Sequence, residues 1–219
     1  MKLYGYYRSS TSYRLRCALE LKGLEYDNCG VNLLTSEQKD EAFTSRNPFG
    51  SVPMLETDHG GARVDRAQSM AIIEWLDEAY PEAPLLPSDP EQRYVARGLA
   101  YAIATELHAP LNLPVLKYLK EEFGQSQEAI GTWYRHWLSR TLDPLEKRLA
   151  QLGTGDFLFG APGFFEVVLM PQIYNARRFD FDFSDKPHMT RIEAACLALP
   201  AFQRAHPDAQ PDAPSGAPD

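Results

Sequence analysis

The sequence predicts two domains of different class, an α/β domain at the N-terminus and an all-α domain after it. Three observations predict this arrangement. Strand-like runs alternate with amphipathic helical patterns through about the first eighty residues, the stretch 81–90 then holds four prolines without hydrophobic periodicity, and no strand pattern is recognisable beyond it. A chain of 219 residues is long enough for two such domains.

The first strand and the first helix follow directly from the residue pattern. Lys2–Tyr7 is short and rich in aromatic residues, which predicts a strand. Tyr13, Cys17 and Leu21 then recur at four-residue spacing, which predicts a helix that Gly23 closes.

The remaining elements of this domain complete the order β-α-β-α-β-β-α. They are a strand near Tyr26–Leu33, a polar helix over Ser36–Arg46, a hairpin with strands Val52–Thr57 and Ala62–Asp65, and a helix that ends at Tyr80-Pro81. The two early strands, each followed by a helix, should pair in parallel, and the hairpin should extend the sheet. This is a thioredoxin-like arrangement.

The predicted boundaries are 1–80 for the thioredoxin-like domain, 81–90 for a linker, 91–205 for the helical domain and 206–219 for a disordered tail. Helical patterns in the second domain begin near Val95 and Ile130 and cover Glu166–Arg178 and Thr190–Leu199. Pro144 lies within the second pattern and should kink or restart that helix.

Composition and charge exclude several classes of function. With 22 basic and 30 acidic side chains and a net charge of −8, the chain lacks the basic face that nucleic acids and anionic membranes require. Cys17, Cys29 and Cys196 show no CxxC spacing, so neither a metal site nor a disulfide framework is expected. The N-terminus does not resemble a signal peptide and no run is long enough to span a membrane, so we expect a soluble cytoplasmic protein.

The most informative segment is Arg8–Arg16, where four hydroxyl residues stand between a strand end and a helix start. Such hydroxyls ordinarily cap the helix by accepting hydrogen bonds from its unpaired N–H groups. The same helix end carries about half a positive charge, so it can also hold an anion such as a thiolate and lower its pKa. Cys17 falls on the apolar stripe of the helix, so the thiol would come from a ligand. Spacing alone leaves both interpretations open.

Five motifs carry a family resemblance. They are Tyr7–Arg16, Asn47-Pro48 with Val52-Pro53, Gln68–Leu76, Pro84–Pro87 and Pro171–Phe179. The first is similar to the S-S-x-S-x-R-x-R signature of the zeta class of glutathione transferases, the family of maleylacetoacetate isomerase and maleylpyruvate isomerase. The chain resembles this family from about residue 1 to residue 202, and the resemblance implies the glutathione transferase fold.

The resemblance implies that the first domain binds glutathione. Ser9 would stabilise the thiolate, with Ser10 and Thr11 in the same turn, and Thr11 stands where many members have cysteine. Val52-Pro53 would form a cis-proline turn whose valine backbone pairs with glutathione, and Gln68-Ser69 would hold the γ-glutamyl carboxylate at a helix N-terminus. The implied glutathione contacts are Ser9, Ser10, Thr11, Arg14, Gln38, Val52, Pro53, Gln68, Ser69, His108 and Asn112.

Ordinary structural roles remain open for several of these residues. Ser69 can be a helix cap, Pro53 an edge or turn residue, and His108 a surface histidine. The tyrosines of the first strand offer a rival hydroxyl, because other classes of the superfamily use a tyrosine there. The zeta resemblance favours serine and leaves the tyrosines to strand packing.

The helical domain is expected to supply the substrate pocket. The resemblance implies substrate contacts from Arg8, His108, Asn112 and Arg178, and the two guanidinium groups suit carboxylates. His108 and Asn112 are expected one helical turn apart. The last turn of a helix favours a cation such as Arg178 even without a ligand.

Two departures from the family pattern are visible. Asp58–Arg66 is longer than the usual hairpin and should reshape the glutathione edge. Gly163 and Glu166 stand where the superfamily has Ser or Thr and then Asp, the capping box of a core helix. Because glycine is an acceptable cap and Glu166 can reach back, the expected cost is below about 1 kcal/mol, seen as slower folding or lower stability.

The resemblance implies an enzyme that isomerises a cis-enediketo diacid, with glutathione as a recycled nucleophile. Addition of the thiolate to the conjugated double bond, rotation and elimination would convert maleylacetoacetate to fumarylacetoacetate in aromatic amino-acid catabolism. Isomerisation of maleylpyruvate, net conjugation or dehalogenation of small electrophiles, and a non-catalytic binding protein of the same fold remain alternatives. A homodimer is expected from the resemblance alone.

Overall fold

The computed structural model describes residues 1–214 and divides the chain into two compact units. Of the described residues, Met1–Leu85 and those from Leu197 to residue 214 form the first unit, and Leu86–Cys196 form the second. The break at Leu85 falls inside the stretch 81–90 that the sequence marks as a linker. Residues 215–219 of the predicted tail lie outside the described residues.

A four-stranded sheet forms the centre of the first unit. The strands are β1 (Lys2–Gly5), β2 (Asp27–Gly30), β3 (Met54–His59) and β4 (Ala62–Ala67), in the order β2-β1-β3-β4. β1 pairs in parallel with β2, and the other two pairs are antiparallel. The predicted parallel pair, the added hairpin and the thioredoxin-like arrangement are therefore confirmed.

The helices of the first unit are α1 (Ser10–Leu21), α2 (Glu41–Thr44), α3 (Ser69–Ala79) and α10 (Pro200–Ala205). α1 packs against α3 and α10, and its residues from Ser12 to Leu19 are all buried. Cys17 lies in this packed stretch, as its spacing predicted, and burial raises the pKa of its thiol. It is a core residue.

Two local predictions for this unit need correction. The predicted helix over Ser36–Arg46 is instead a 3₁₀ turn at Glu37–Lys39 and the single helical turn α2, because Asp40 between them is extended. The predicted hairpin strands Val52–Thr57 and Ala62–Asp65 are instead Met54–His59 and Ala62–Ala67. They leave a turn of two glycines with φ of 63° and 79°. Glycine adopts such angles readily, and the two strands pair without a break from the Met54 and Ala67 pair to the His59 and Ala62 pair.

The prediction for the C-terminal segment also needs correction. The sequence predicts that residues to 205 belong to the helical domain and that 206–219 are disordered, but α10 and residues 206–214 belong to the first unit. Pro207 and Gln210 are buried there. The Gln210 amide accepts from Asn28 Nδ2 at 2.9 Å and donates to the carbonyls of Arg204 and His206 at 2.8 and 2.7 Å. These specific bonds order a segment whose composition predicts disorder.

The second unit is helical, as predicted. Its elements are α4 (Pro90–Tyr101), a π-helical turn (Ala102–Leu107), α5 (His108–Leu111), α6 (Leu113–Glu121), α7 (Gln127–Leu152), α8 (Phe164–Arg177) and α9 (Pro187–Leu197). α8 is buried continuously from Phe164 to Ile173 and forms the core of the unit. Within residues 1–214, no helix combines the length and apolar character needed to cross a bilayer.

The sequence predicts a kink or a restart of the helix at Pro144, and the structure shows no restart. α7 runs through it without a break for 26 residues. A proline deprives the carbonyl four residues earlier of its hydrogen bond, here the carbonyl of Arg140. Because Arg140 is exposed, water can take that place, and the helix continues.

The start of α8 confirms how the Gly163 departure is accommodated. Gly163 is the N-cap and Glu166, only 1% exposed, reaches back to its N–H at 2.8 Å. The other carboxylate oxygen of Glu166 accepts the N–H of Leu158 at 2.7 Å. Glu166 thus ties the preceding loop to the helix as well as capping it.

Replacing Glu166 with alanine should lower the free energy of unfolding by about 2–4 kcal/mol, because two N–H groups lose their acceptor. Urea denaturation followed by circular dichroism measures this loss. Glu128→Ala, in the exposed first turn of α7, is the matched control and should change stability by less than about 0.5 kcal/mol. Equal losses in the two variants would contradict the role given to Glu166.

Candidate functional site

The sheet register brings three predicted site segments to one end of the sheet. Tyr4 on β1 is paired with Met54 on β3, and Met54 is paired with Ala67 on β4. The residues just after β1, just before β3 and just after β4 therefore lie side by side. These are the Ser9 turn, Val52-Pro53 and Gln68-Ser69.

The turn from β1 into α1 is closed by local hydrogen bonds. The N–H of Ser9 donates to the Tyr6 carbonyl at 3.0 Å, and the N–H of Tyr6 donates to Ser12 Oγ at 3.3 Å. Ser9 is the N-cap of α1, and its Oγ accepts the N–H of Ser12 at 3.3 Å. The ordinary capping interpretation of Ser9 is therefore correct.

The hydroxyl of Ser9 also belongs to a short hydrogen-bonded chain. Ser9 Oγ lies 2.9 Å from Thr11 Oγ1, and Thr11 Oγ1 donates to the carbonyl of Val52 at 2.9 Å. A hydroxyl has one proton to donate, and that of Thr11 is used on Val52. It follows that Ser9 donates to Thr11, so a ligand anion at this point competes with Thr11 for the Ser9 proton.

The peptide bond between Val52 and Pro53 is cis, as the resemblance implied. Pro53 is buried at the start of β3, and the Val52 carbonyl is held by Thr11. Asn47, 2% exposed, donates to the Ser51 carbonyl at 2.7 Å and fixes the same loop from the other side. Sequence reasoning quoted the Asn47-Pro48 motif but gave Asn47 no role.

Gln68 and Ser69 mark the start of α3. Gln68 is the N-cap with a φ of 72°, which is uncommon for any residue other than glycine. Its side chain makes no capping hydrogen bond within the described chain, and Ser69 is already the first helical residue. The interpretation of Ser69 as the cap is therefore wrong, and the N-terminal N–H groups of α3 suit an anion.

Two other predicted contacts of the first unit, Arg8 and Gln38, lie in different settings. Arg8 is half-buried, with its guanidinium 5.7 Å from the Tyr7 ring centre. Gln38 lies beside the loop before β3, because a Cβ added at Gly50 would come within 3.0 Å of the Gln38 carbonyl oxygen. Its side-chain Oε1 is buried and has no hydrogen-bond partner within the described chain.

Arg14 is buried inside the first unit rather than presented on its surface. It is 2% exposed, and desolvation lowers its pKa to about 10. Nε and Nη2 have no hydrogen-bond partner among residues 1–214. Its role as a glutathione contact stays a prediction.

The tyrosines of the first strand are engaged in packing. The Tyr4 hydroxyl donates to Glu56 Oε2 at 3.1 Å. Tyr6 and Tyr7 are buried edge to face, with ring centres 4.7 Å apart, and burial raises the pKa of Tyr6. This arrangement favours Ser9 as the hydroxyl that meets a ligand.

The predicted residues of the helical domain lie in the second unit. His108 begins α5, and Asn112 lies past its end with extended angles of −68° and 146°. The single turn of α5 separates His108 from Asn112, as predicted, and the chain changes direction at Asn112 to start α6. Arg178 is exposed at the end of α8, with Nη1 3.3 Å from Asn175 Oδ1.

Comparison with known proteins identifies relatives over nearly the whole chain. Residues 1–78 match the family model of the glutathione S-transferase N-terminal domain. A maleylpyruvate isomerase of Ralstonia is 43% identical over 97% of this chain and 99% of its own length. A maleylacetoacetate isomerase of Pseudomonas aeruginosa is 41% identical over 98% of this chain and 100% of its own. This chain belongs to the zeta-class glutathione transferase family.

Solved structures agree with this family membership. The holo structure of a maleylpyruvate isomerase, described as a bacterial zeta-class glutathione transferase, matches with a TM-score of 0.92 and 41% identity over 98% of this chain and 100% of its own. A maleylacetoacetate isomerase of Anaeromyxobacter dehalogenans with bound glutathione matches with a TM-score of 0.88 and 42% identity over 97% of each chain. The predicted resemblance and the predicted fold class are confirmed.

Replacing Thr11 with valine should raise the Kd for glutathione about five- to tenfold, because losing one hydrogen bond of roughly 1 kcal/mol releases the Val52 carbonyl. Titration calorimetry measures this change. Thr44→Val is the matched control, since the Thr44 hydroxyl likewise donates to a backbone carbonyl, that of Asp40, at 3.0 Å. Equal affinities in the two variants would overturn the role given to Thr11.

Proposed function

We propose that this chain is a glutathione-dependent isomerase that converts maleylacetoacetate to fumarylacetoacetate. The observation that carries the proposal is the Ser9 hydroxyl at the N-cap of α1, hydrogen-bonded through Thr11 to the carbonyl before the cis-proline. The chain is an enzyme. Relatives named as isomerases are 43% and 41% identical to it over nearly their whole lengths.

The residues of the first unit fit glutathione. The tripeptide carries a carboxylate at each end and a thiol between them. The N-terminus of α3 suits a carboxylate, and the buried Oε1 of Gln38, which has no partner among the described residues, suits a donor of the ligand backbone. The resemblance implies that Gln68 and Ser69 bind this carboxylate and that the Val52 backbone pairs with the peptide of glutathione.

When bound, glutathione supplies the nucleophilic thiolate that adds reversibly to the cis double bond. Ser9 keeps this thiol ionised by donating its proton to the sulfur in place of Thr11 Oγ1. The positive end of α1 favours the same charge state. Arg8 and Arg178 are proposed to hold the two carboxylates of the diacid, with His108 and Asn112 as further contacts.

Two further assignments belong to this proposal. Maleylpyruvate is the alternative diacid, because an isomerase named for it shares 43% identity with this chain. Net conjugation or dehalogenation would use the same thiolate, and a non-catalytic protein would not need the Ser9 hydroxyl. We also propose a cytoplasmic homodimer, on the strength of the family resemblance.

Ser9→Ala should lower turnover by a factor of about 10²–10³, the usual effect of removing one donor from a developing or stabilised anion. The measurement is loss of enedione absorbance for maleylacetoacetate and for maleylpyruvate, with and without glutathione. Ser45→Ala, in an exposed helical turn, is the control and should match the parent. Failure to turn over either acid, with glutathione still bound, would refute the isomerase assignment.

Arg178→Met should raise KM for the diacid about tenfold or more, because one charge-assisted hydrogen bond to a carboxylate is lost. The Kd for glutathione should stay unchanged, since the predicted partner of Arg178 is the substrate. Arg177→Met is the matched control, because Arg177 is the adjacent cation and pairs with Glu193. A KM equal to that of the control would remove Arg178 from the substrate site.

A further inference from the structure

Two charged side chains hold the backbone of Tyr7, two residues before Ser9. The N–H of Tyr7 donates to Asp212 Oδ2 at 2.8 Å, and its carbonyl accepts from Arg16 Nη2 at 2.8 Å. Tyr7 is 8% exposed and Arg16 is 1% exposed, so water has little access to these groups. Hydrogen bonds to ionised groups in such surroundings are about twice as strong as neutral ones.

Both charges connect this turn to the end of the chain. Arg16 Nε donates to the carbonyl of Ala205 at 2.8 Å, and Asp212 lies 205 positions along the sequence from Tyr7. Gly30 leaves room for the carboxylate, because a Cβ added there would stand 3.2 Å from Asp212 Cβ. We name residues 205–212 the C-terminal strap.

The strap is anchored independently of Asp212. The Gln210 amide bonds to three partners, and its side chain is buried. Pro207 is buried within the strap. Arg204, the residue before the strap, pairs with Glu20, with Nε 2.6 Å from Oε2. A change at Asp212 therefore removes the bond to Tyr7 without detaching the strap.

We propose that Asp212, on the C-terminal strap, and Arg16, on α1, are positioning residues that fix the Tyr7 backbone and through it the Ser9 hydroxyl. This rests on the role of Ser9 in the proposed function. The Ser9 turn is short, and the Ser9 proton has two competing acceptors, Thr11 and the thiolate. Small displacements of positioned groups have large effects on rate, so the backbone two residues away must be held firmly.

The test compares Asp212→Ala, Asp212→Asn and Asp208→Ala in the full chain, each with Ser9 and with Ser9→Ala. Two quantities are measured: kcat, and the pKa of the bound glutathione thiol from thiolate absorbance against pH. Asp212→Ala should lower kcat about tenfold or more and raise the thiol pKa, because the Tyr7 N–H loses a charged acceptor. Asp212→Asn keeps an acceptor oxygen, so its kcat and its thiol pKa should both lie close to those of the parent.

The control and the double variant separate positioning from stability. Asp208 lies on the same strap, with its carboxylate 3.3 Å from His206, and Asp208→Ala should stay within about twofold of the parent. With Ser9→Ala, adding Asp212→Ala should change kcat less than about twofold, since the two act through one group. Equal losses in both backgrounds, or lower thermal stability with unchanged kcat and thiol pKa, would overturn the proposal.

The outcome also distinguishes this inference from the proposed function. If Ser9→Ala lowers turnover and Asp212→Ala does not, the proposed function stands and the strap has no positioning role. If Ser9→Ala leaves turnover unchanged, the proposed function of Ser9 fails, and any loss in Asp212→Ala must then arise by another route, which also overturns this inference.

Discussion

Tyr6 and Tyr7 are buried in the turn between β1 and α1, so their backbone polar groups need partners, and both ends of the first unit supply them. Local groups satisfy Tyr6, whereas the charged side chains of Asp212 and the buried Arg16 satisfy Tyr7. Because Asp212 comes from the far end of the sequence, the geometry of the turn depends on how the C-terminal segment folds. This explains why a polar, proline-containing segment is packed into the first unit.

A second constraint acts on the hydroxyl protons at the same place. Ser9 Oγ accepts from α1 and donates to Thr11, whose own proton fixes the Val52 carbonyl. The capping role and the functional role of Ser9 are therefore compatible. Capping uses the oxygen as an acceptor, and the hydroxyl proton can still donate to either Thr11 or a ligand. A cysteine at position 11 would donate more weakly, so threonine holds the Val52 loop more firmly at the cost of stronger competition for the Ser9 proton.

Short-range patterns predicted much of this molecule, and long-range contacts account for what they missed. The strand, hydroxyl cap and helix around Ser9 follow from spacing, and the resemblance added the cis bond at Pro53. The order of residues 206–214 rests on Gln210 and Asp212, whose partners are far away in sequence and leave no periodic signal. The break at Asn112 was missed for a related reason, because helical spacing alone does not reveal where one helix ends and the next begins.

The overall charge of the chain conceals the electrostatics at the Ser9 turn. The chain carries a net −8, yet α1 holds two buried arginines in its second turn, within seven residues of Ser9. Burial lowers the pKa of both guanidinium groups, but that of Arg14 stays at about 10, so it is charged at neutral pH. Buried charges are screened less by solvent and salt than the acidic surface groups. Arg16, whose Nη2 donates to the Tyr7 carbonyl two residues before Ser9, therefore adds to the positive end of α1, and an anion at Ser9 is favoured even in an acidic protein.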